Sequence, residues 1–172
     1  LTGYFPKMEE ADPLSTPVSI NRCRLCDCIQ AGELVSNELM FDDYWYRSGT
    51  TQSMKEHLYK IVNENLQNVR SWLDIGSNDG TLISWAKEKG IKTVCGVEPS
   101  KAFLDCDENI KNFCINDFFG TENCIDKICS ISTKFDVISA ISMFYDISEP
   151  VDFLKKVKML LSNEGKAIIE VN

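Results

Sequence analysis

The run Leu73-Asp74-Ile75-Gly76-Ser77-Asn78-Asp79-Gly80-Thr81-Leu82 decides how the chain folds. It begins in the β-type segment 72–75, turns through two glycines, and enters a helical stretch over 82–89 that stops at Gly90. Strand, glycine turn and helix in that order open a βαβ unit.

The alternation continues outward from this run. Residues 93–97 give a second strand, Ser100 caps a helix through about residue 107, and 110–115 give a third strand. A helix over 122–130 leads to a strand at 135–139, and a helix over 151–161 leads to a strand at 167–171. Upstream, Met54, Leu58, Ile61, Val62, Leu66 and Val69 recur at helical spacing, giving one apolar stripe on a helix that ends before Ser71. Strands alternating with helices imply an α/β, doubly wound, mostly parallel sheet of five strands covered on both faces. Trp72, Trp85, Phe103 and Phe113 then pack its core. Residues 1–50 hold three of the 5 prolines and little periodicity, so a small loop-rich module precedes the α/β domain at 51–172. Asp42 and Asp43 read as residues capping a turn.

Ligands of such sheets bind outside the carboxyl ends of the strands, where the strand order reverses. There, Gly76 lets a ligand approach the backbone, Gly80 lets the next helix pack closely, and Asp74 puts a carboxylate at a strand end. A nicotinamide-dinucleotide site wants Gly-x-Gly-x-x-Gly, and this turn lacks the middle glycine. Asp74 and Asp79 would repel a pyrophosphate and suit a ligand with an ammonium group. S-adenosylmethionine carries an ammonium and a sulfonium and no phosphate. Glu98 ends the second strand where an acid accepts hydrogen bonds from a ribose diol.

Composition narrows the function classes. The chain has 172 residues, 44% apolar and 26% charged, with a formal net charge of −8, which disfavours counterion-driven binding to nucleic acid or anionic membrane. A small-molecule substrate is expected instead. No apolar run reaches the length of a membrane span and no signal-peptide pattern opens the chain, so it reads as cytoplasmic. It starts at Leu1 and stops at Asn172 directly after an apolar run, as a piece of something longer would.

Three segments, residues 74–82, 96–100 and 43–51, together resemble the class I S-adenosylmethionine-dependent methyltransferases with an N-terminal zinc-binding domain, typified by deoxysugar C-methyltransferases. The resemblance implies a Rossmann-like sheet. It implies that Asp74, Gly76 and Asn78 line the methionine and ribose of S-adenosylmethionine, that Glu98 holds the ribose hydroxyls, and that Pro99 and Ser100 lie beside the adenine. Asp117 and Phe118 would face the adenine, and Met143 in Ile141-Ser142-Met143-Phe144-Tyr145-Asp146 would lie under the reactive methyl. Tyr44 and Tyr46 would face cofactor or substrate, and the implied substrate is a nucleotide-linked keto-sugar.

The 8 cysteines divide in two. Cys95, Cys106, Cys114, Cys124 and Cys129 sit singly in apolar segments and read as reduced, core-filling thiols. Cys23 and Cys26 have the spacing of half a zinc site, with Cys28 at an awkward spacing for a third ligand. In the resembled family a second Cys-x-x-Cys pair completes the site, and it would fall upstream of Leu1. The reading therefore leaves open whether Zn2+ binds here or Cys23 and Cys26 remain free thiols.

The family's catalytic His-Glu-His segment would likewise fall beyond Asn172, leaving Tyr46 as the catalytic candidate. His57 reads as a solvated or capping residue, and Glu170 as a strand-end acid beside the pocket. Two other readings stand beside methyl transfer: a non-catalytic S-adenosylmethionine-binding or scaffolding module, and an NAD-dependent nucleotide-sugar oxidoreductase or epimerase. The resembled sheet has seven strands, so the fifth strand here is expected to present an unpaired edge that favours association.

Overall fold

The computed structural model describes residues 17, 19–32, 36, 40–41 and 44–171. The turn-capping expectation for Asp42 and Asp43 lies outside these residues. The chain divides into two compact units, Leu1–Trp45 and Tyr46–Asn172.

In the smaller unit, β1 (Ile20–Arg22) and β2 (Ile29–Ala31) pair antiparallel, with Asn21 opposite Gln30. Their connection carries Cys23, Cys26 and Cys28. The Cys23 amide donates to the Cys28 carbonyl at 2.8 Å and the Asp27 amide to the Cys23 carbonyl at 3.0 Å, while Asp27 takes a left-handed φ of 60°. Aspartate tolerates that conformation better than most side chains, which is why it closes this tight turn.

The larger unit runs α1 (Gln52–Glu64), β3 (Ser71–Ile75), α2 (Thr81–Glu88), β4 (Thr93–Val97), α3 (Glu108–Lys111), β5 (Cys114–Ile115), α4 (Glu122–Ile131), β6 (Phe135–Ile141), α5 (Pro150–Leu160) and β7 (Leu161–Glu170). The strands form one sheet in the order β5-β4-β3-β6-β7, and every neighbouring pair is parallel. Side chains alternate across it as pleating requires. Trp72, Val94 and Val137 face one way into a cluster with Leu58, Ile61 and Val62 of α1 and Leu82, Ile83 and Ala86 of α2. Leu73, Ile75, Cys95, Val97 and Ile138 face the other way, onto Cys124 and Ile128 of α4 and Phe153, Val157 and Leu160 of α5. The doubly wound α/β fold expected from the alternation is the one observed. Trp72 is fully buried, and Trp85, Phe103 and Phe113 pack against the first cluster.

Three boundaries differ from expectation. The third strand shrinks from 110–115 to Cys114–Ile115, because the Asp107 carboxylate accepts from the Asn109 amide at 2.8 Å and starts the short helix α3 over what reads as a strand. Its Ile110 packs beside Gly80, where an added Cβ would lie 2.4 Å from Ile110 Cδ1. The apolar stripe of α1 continues beyond its last turn: Leu66 and Val69 follow Glu64 yet pack on the same cluster. Finally, β7 begins at Leu161, six residues ahead of its expected start, with a register irregularity opposite Phe135 and Val137. No helix among the described residues is long and apolar enough to cross a membrane.

Candidate ligand site at the strand-order reversal

The order of strands reverses at β3, which has β4 on one side and β6 on the other. Here the glycine turn and the segment after β6 meet. Gly76 has φ 74°, and a Cβ on it would lie 2.9 Å from Met143 Cγ, so a side chain here would both strain the backbone and strike Met143. The Gly76 and Ser77 amides both donate to the Val97 carbonyl, at 2.8 and 3.0 Å, which ties the turn to the end of β4.

Asp74 is buried at 4% exposure. Trp72 Nε1 donates to Ser139 Oγ at 2.8 Å, and Ser139 Oγ donates to Asp74 Oδ1 at 2.6 Å, a relay within the sheet that orients the carboxyl. Burial pushes Asp74 up to about 7; the Ser139 hydroxyl opposes the rise and the Glu98 charge adds to it. A carboxyl in that state gains strongly from a cation brought beside it. Glu98, also buried, accepts from the Asn78 amide at 2.8 Å on one oxygen and from the Ser100 amide at 2.9 Å on the other. Each oxygen keeps a second lone pair for a ligand hydroxyl. Asn116 Nδ2 donates to the Glu98, Pro99 and Ser100 carbonyls at 2.8, 3.2 and 3.4 Å, holding the loop after β4 in place. Ser100 accepts from the Ala102 amide at 3.1 Å and starts a 3-10 turn, as its capping role predicts.

Other expected ligand residues carry structural duties. Asn78 has φ 53°; its Oδ1 accepts from the Ser48 amide at 2.9 Å and its Nδ2 donates to the Tyr46 carbonyl at 3.1 Å. Asp79 accepts from the Gly49 amide at 2.7 Å and from the Thr81 hydroxyl at 2.6 Å. Residues 46–50 thus form a strap across the glycine turn, fastened further by the Arg47 guanidinium on the Asp105 carboxylate. The charge of Asp79, expected to attract a cationic ligand, is engaged by this strap and by the start of α2. Asp117 accepts from the Phe118 amide at 2.8 Å, the Thr121 hydroxyl at 3.1 Å and Asn123 Nδ2 at 2.5 Å, so it shapes the turn into α4. Phe118 and Met143 are half-buried. Tyr46 is half-buried too; burial, then the Asp79 charge, raises its phenol, which keeps it a proton donor. Tyr44 belongs to the smaller unit, edge-on to Phe41 at 5.8 Å.

His57 departs from its expected solvated or capping role. Its Nε2 lies 2.7 Å from Glu170 Oε2, joining α1 to the carboxyl end of β7. Neither this pair nor the roles of Ser139 and Asn116 were expected from sequence. The signal for Ser139 was there, as the one hydroxyl in the buried run Val137-Ile138-Ser139-Ala140. The other contacts join residues far apart in the chain, and no spacing rule marks them.

All eight cysteines are free thiols. Cys95, Cys106, Cys114 and Cys124 are buried and Cys129 half-buried, matching the core-filling expectation. Burial raises Cys95 to about 12 and Cys124 to about 11, so neither is a ready nucleophile. At the β1–β2 turn, the Leu25 and Cys26 amides and the Cys26 thiol lower Cys23. Yet no group of three or more His, Cys, Asp or Glu side chains among the described residues could hold a metal ion. Cys23 and Cys26 alone fall short of the four ligands of a structural zinc, so the residues described here do not fit that metal.

Comparison with known proteins points the same way as the geometry. Residues 73–167 match a family model described as a methyltransferase domain. A tRNA U34 carboxymethyltransferase of Nautilia profundicola is 28% identical over 139 residues, covering 81% of this chain and 44% of the relative. One of Sulfurimonas denitrificans is 29% identical over 97 residues, covering 56% of this chain and 33% of the relative. The chain thus spans less than half the length of these curated relatives. Among solved structures, the plantazolicin methyltransferase BpumL with a monoazolic desmethylPZN analog and SAH superposes with a TM-score of 0.52 at 22% identity, over 70% of this chain and 46% of that one. An S-adenosylmethionine-dependent methyltransferase from Clostridium acetobutylicum gives 0.51 at 18%, over 69% and 49%. At such identities the likeness concerns the fold.

Proposed function

The chain belongs to the methyltransferase-domain family, and from that premise we propose that its larger unit binds S-adenosylmethionine and that the full-length protein C-methylates a nucleotide-linked keto-deoxysugar. One observation carries the cofactor reading. Two buried carboxyls, Asp74 and Glu98, stand at the ends of adjacent strands beside a turn that lacks the middle glycine of a dinucleotide site. Such a pair suits an ammonium and a ribose diol and repels a pyrophosphate.

In this reading Asp74 takes the ammonium, Glu98 takes the ribose hydroxyls on its remaining lone pairs, and Pro99 and Ser100 border the adenine. Gly76 and Asn78 supply backbone beside the methionine and ribose. Phe118 lies along the adenine ring on the loop that Asp117 shapes, and Met143 lies under the sulfonium. The buried Ser77 and Ser142 hydroxyls, which have no partner among the described residues, flank the same turn. Bound S-adenosylmethionine supplies an electrophilic methyl group. Tyr46, kept protonated, donates a hydrogen bond to the acceptor's developing oxyanion.

The substrate class rests on the resemblance of residues 43–51, 74–82 and 96–100 to the deoxysugar C-methyltransferases, and on the net charge of −8, which disfavours a polyanionic acceptor. The relatives named for tRNA favour a nucleic-acid acceptor as the second reading. Methyl-labelled S-adenosylmethionine offered to the full-length protein with a thymidine-diphosphate-linked 4-keto sugar, and separately with a tRNA transcript, tests both. Label in the sugar alone is expected. Label in tRNA alone would overturn the sugar assignment, and cofactor binding without transfer to either would favour the non-catalytic binding module.

A further inference from the structure

The carboxyl end of the sheet holds an acid–imidazole pair that the cofactor reading does not use. Relative to β3, the residues assigned to the adenine all follow β4 and β5, on one side of the strand-order reversal. On the other side stand β6 and β7. Glu170 ends β7, opposite Ile141 in the parallel register, and its carbonyl accepts the Ser142 amide at 3.0 Å. Ser142 is adjacent to Met143, which touches the glycine turn. His57 sits one turn into α1, whose start follows the strap fastened to Asn78 and Asp79. Its Nε2 meets Glu170 Oε2 at 2.7 Å, and the two side chains are 41% and 31% exposed, so neither is closed off from solvent.

Resting on the methyltransferase reading, we infer that His57 is the general base of the reaction and that Glu170 is its positioning residue. A carboxylate accepts only from a protonated nitrogen, so Glu170 fixes the proton on Nε2 and leaves Nδ1 with a lone pair. The acceptor's proton passes to Nδ1 as the electron pair it leaves behind forms the new bond to the methyl carbon. The pair of the broken carbon–sulfur bond stays on sulfur, which becomes a neutral thioether. The imidazolium that results has the Glu170 carboxylate as counter-charge. Among the 172 residues of this chain His57 is the one histidine.

That single histidine makes the test direct. Nitrogen-15 spectra of the labelled chain, taken at a pH where the imidazole carries one proton, are expected to show that proton on Nε2, and Glu170→Ala should abolish that bias while leaving S-adenosylhomocysteine affinity within about twofold. A proton on Nδ1 in the wild-type chain overturns the assignment. In the full-length protein, His57→Gln should lower kcat with the 4-keto sugar, or with tRNA if that proves the acceptor, by about 100-fold or more, the usual contribution of a general base. Glu170→Gln should lower kcat by a smaller factor with KM little changed. Retention of kcat within about threefold in His57→Gln overturns the base role. Failure of the wild-type chain to bind S-adenosylhomocysteine would instead defeat the cofactor reading, and the spectrum would still report the imidazole.

Discussion

Asp74 is a buried carboxyl near the carboxyl end of β3, and the proposed cofactor reading depends on it. In the unfolded chain it titrates near 3.8, and in the folded protein burial carries it to about 7. The folded state therefore holds a proton that the unfolded state has already lost between these values, and stability falls as pH rises through that window. The loss is on the order of 4 kcal/mol, at about 1.4 kcal/mol per pH unit. Asp74→Asn keeps an oxygen to accept from Ser139 and cannot ionise. It should remove most of the difference in urea stability between pH 4.5 and pH 8; an unchanged difference would show that Asp74 is not its source. Gly76→Ala tests the cradle. With φ 74° and Met143 Cγ 2.9 Å from the new Cβ, it should cost about 1–3 kcal/mol of stability and weaken S-adenosylhomocysteine binding, measured by urea melts and calorimetry.

At the scale of elements, the glycine turn is held between β4 and the strap 46–50. Asn78→Ala removes the acceptor of the Ser48 amide and the donor to the Tyr46 carbonyl, and places alanine at φ 53°. A loss of about 1–3 kcal/mol is expected, with faster amide hydrogen exchange at Ser48. Unchanged exchange there would mean that the strap is held by other contacts. This arrangement also marks how far the sequence could be read. Apolar periodicity and the glycine pair located α2, α4, α5, β3, β4 and β6, because those signals are local. It missed α3, where one capping aspartate outweighs an apolar run, and it gave no sign that Asn78, Asp79 and Asp117 also fasten neighbouring loops, because those partners lie elsewhere in the chain or on backbone amides. Only the folded chain shows that Ser48, Gly49 and Thr121 bond to those groups.

For the whole molecule, the sheet order reverses at β3 and leaves β5 and β7 at the edges of the described sheet. Ile169 and Val171, 37% and 58% exposed, lie on and just beyond β7. An edge with exposed apolar side chains pairs with other edges unless charge prevents it. Sedimentation of this chain should show concentration-dependent association that Ile169→Lys reduces; identical behaviour of the two would place the contact elsewhere. The strand-order reversal at β3 is proposed to take a cationic, phosphate-free adenosyl ligand at Asp74 and Glu98. Its most direct test is calorimetric titration of the chain with S-adenosylhomocysteine and with NAD at pH 7, each in two buffers of different ionisation enthalpy. S-adenosylhomocysteine is expected to bind with proton release as its ammonium ionises Asp74, Asp74→Asn to abolish the release, and Glu98→Gln to weaken binding by about 1–3 kcal/mol. Binding of NAD with no response to S-adenosylhomocysteine would contradict it.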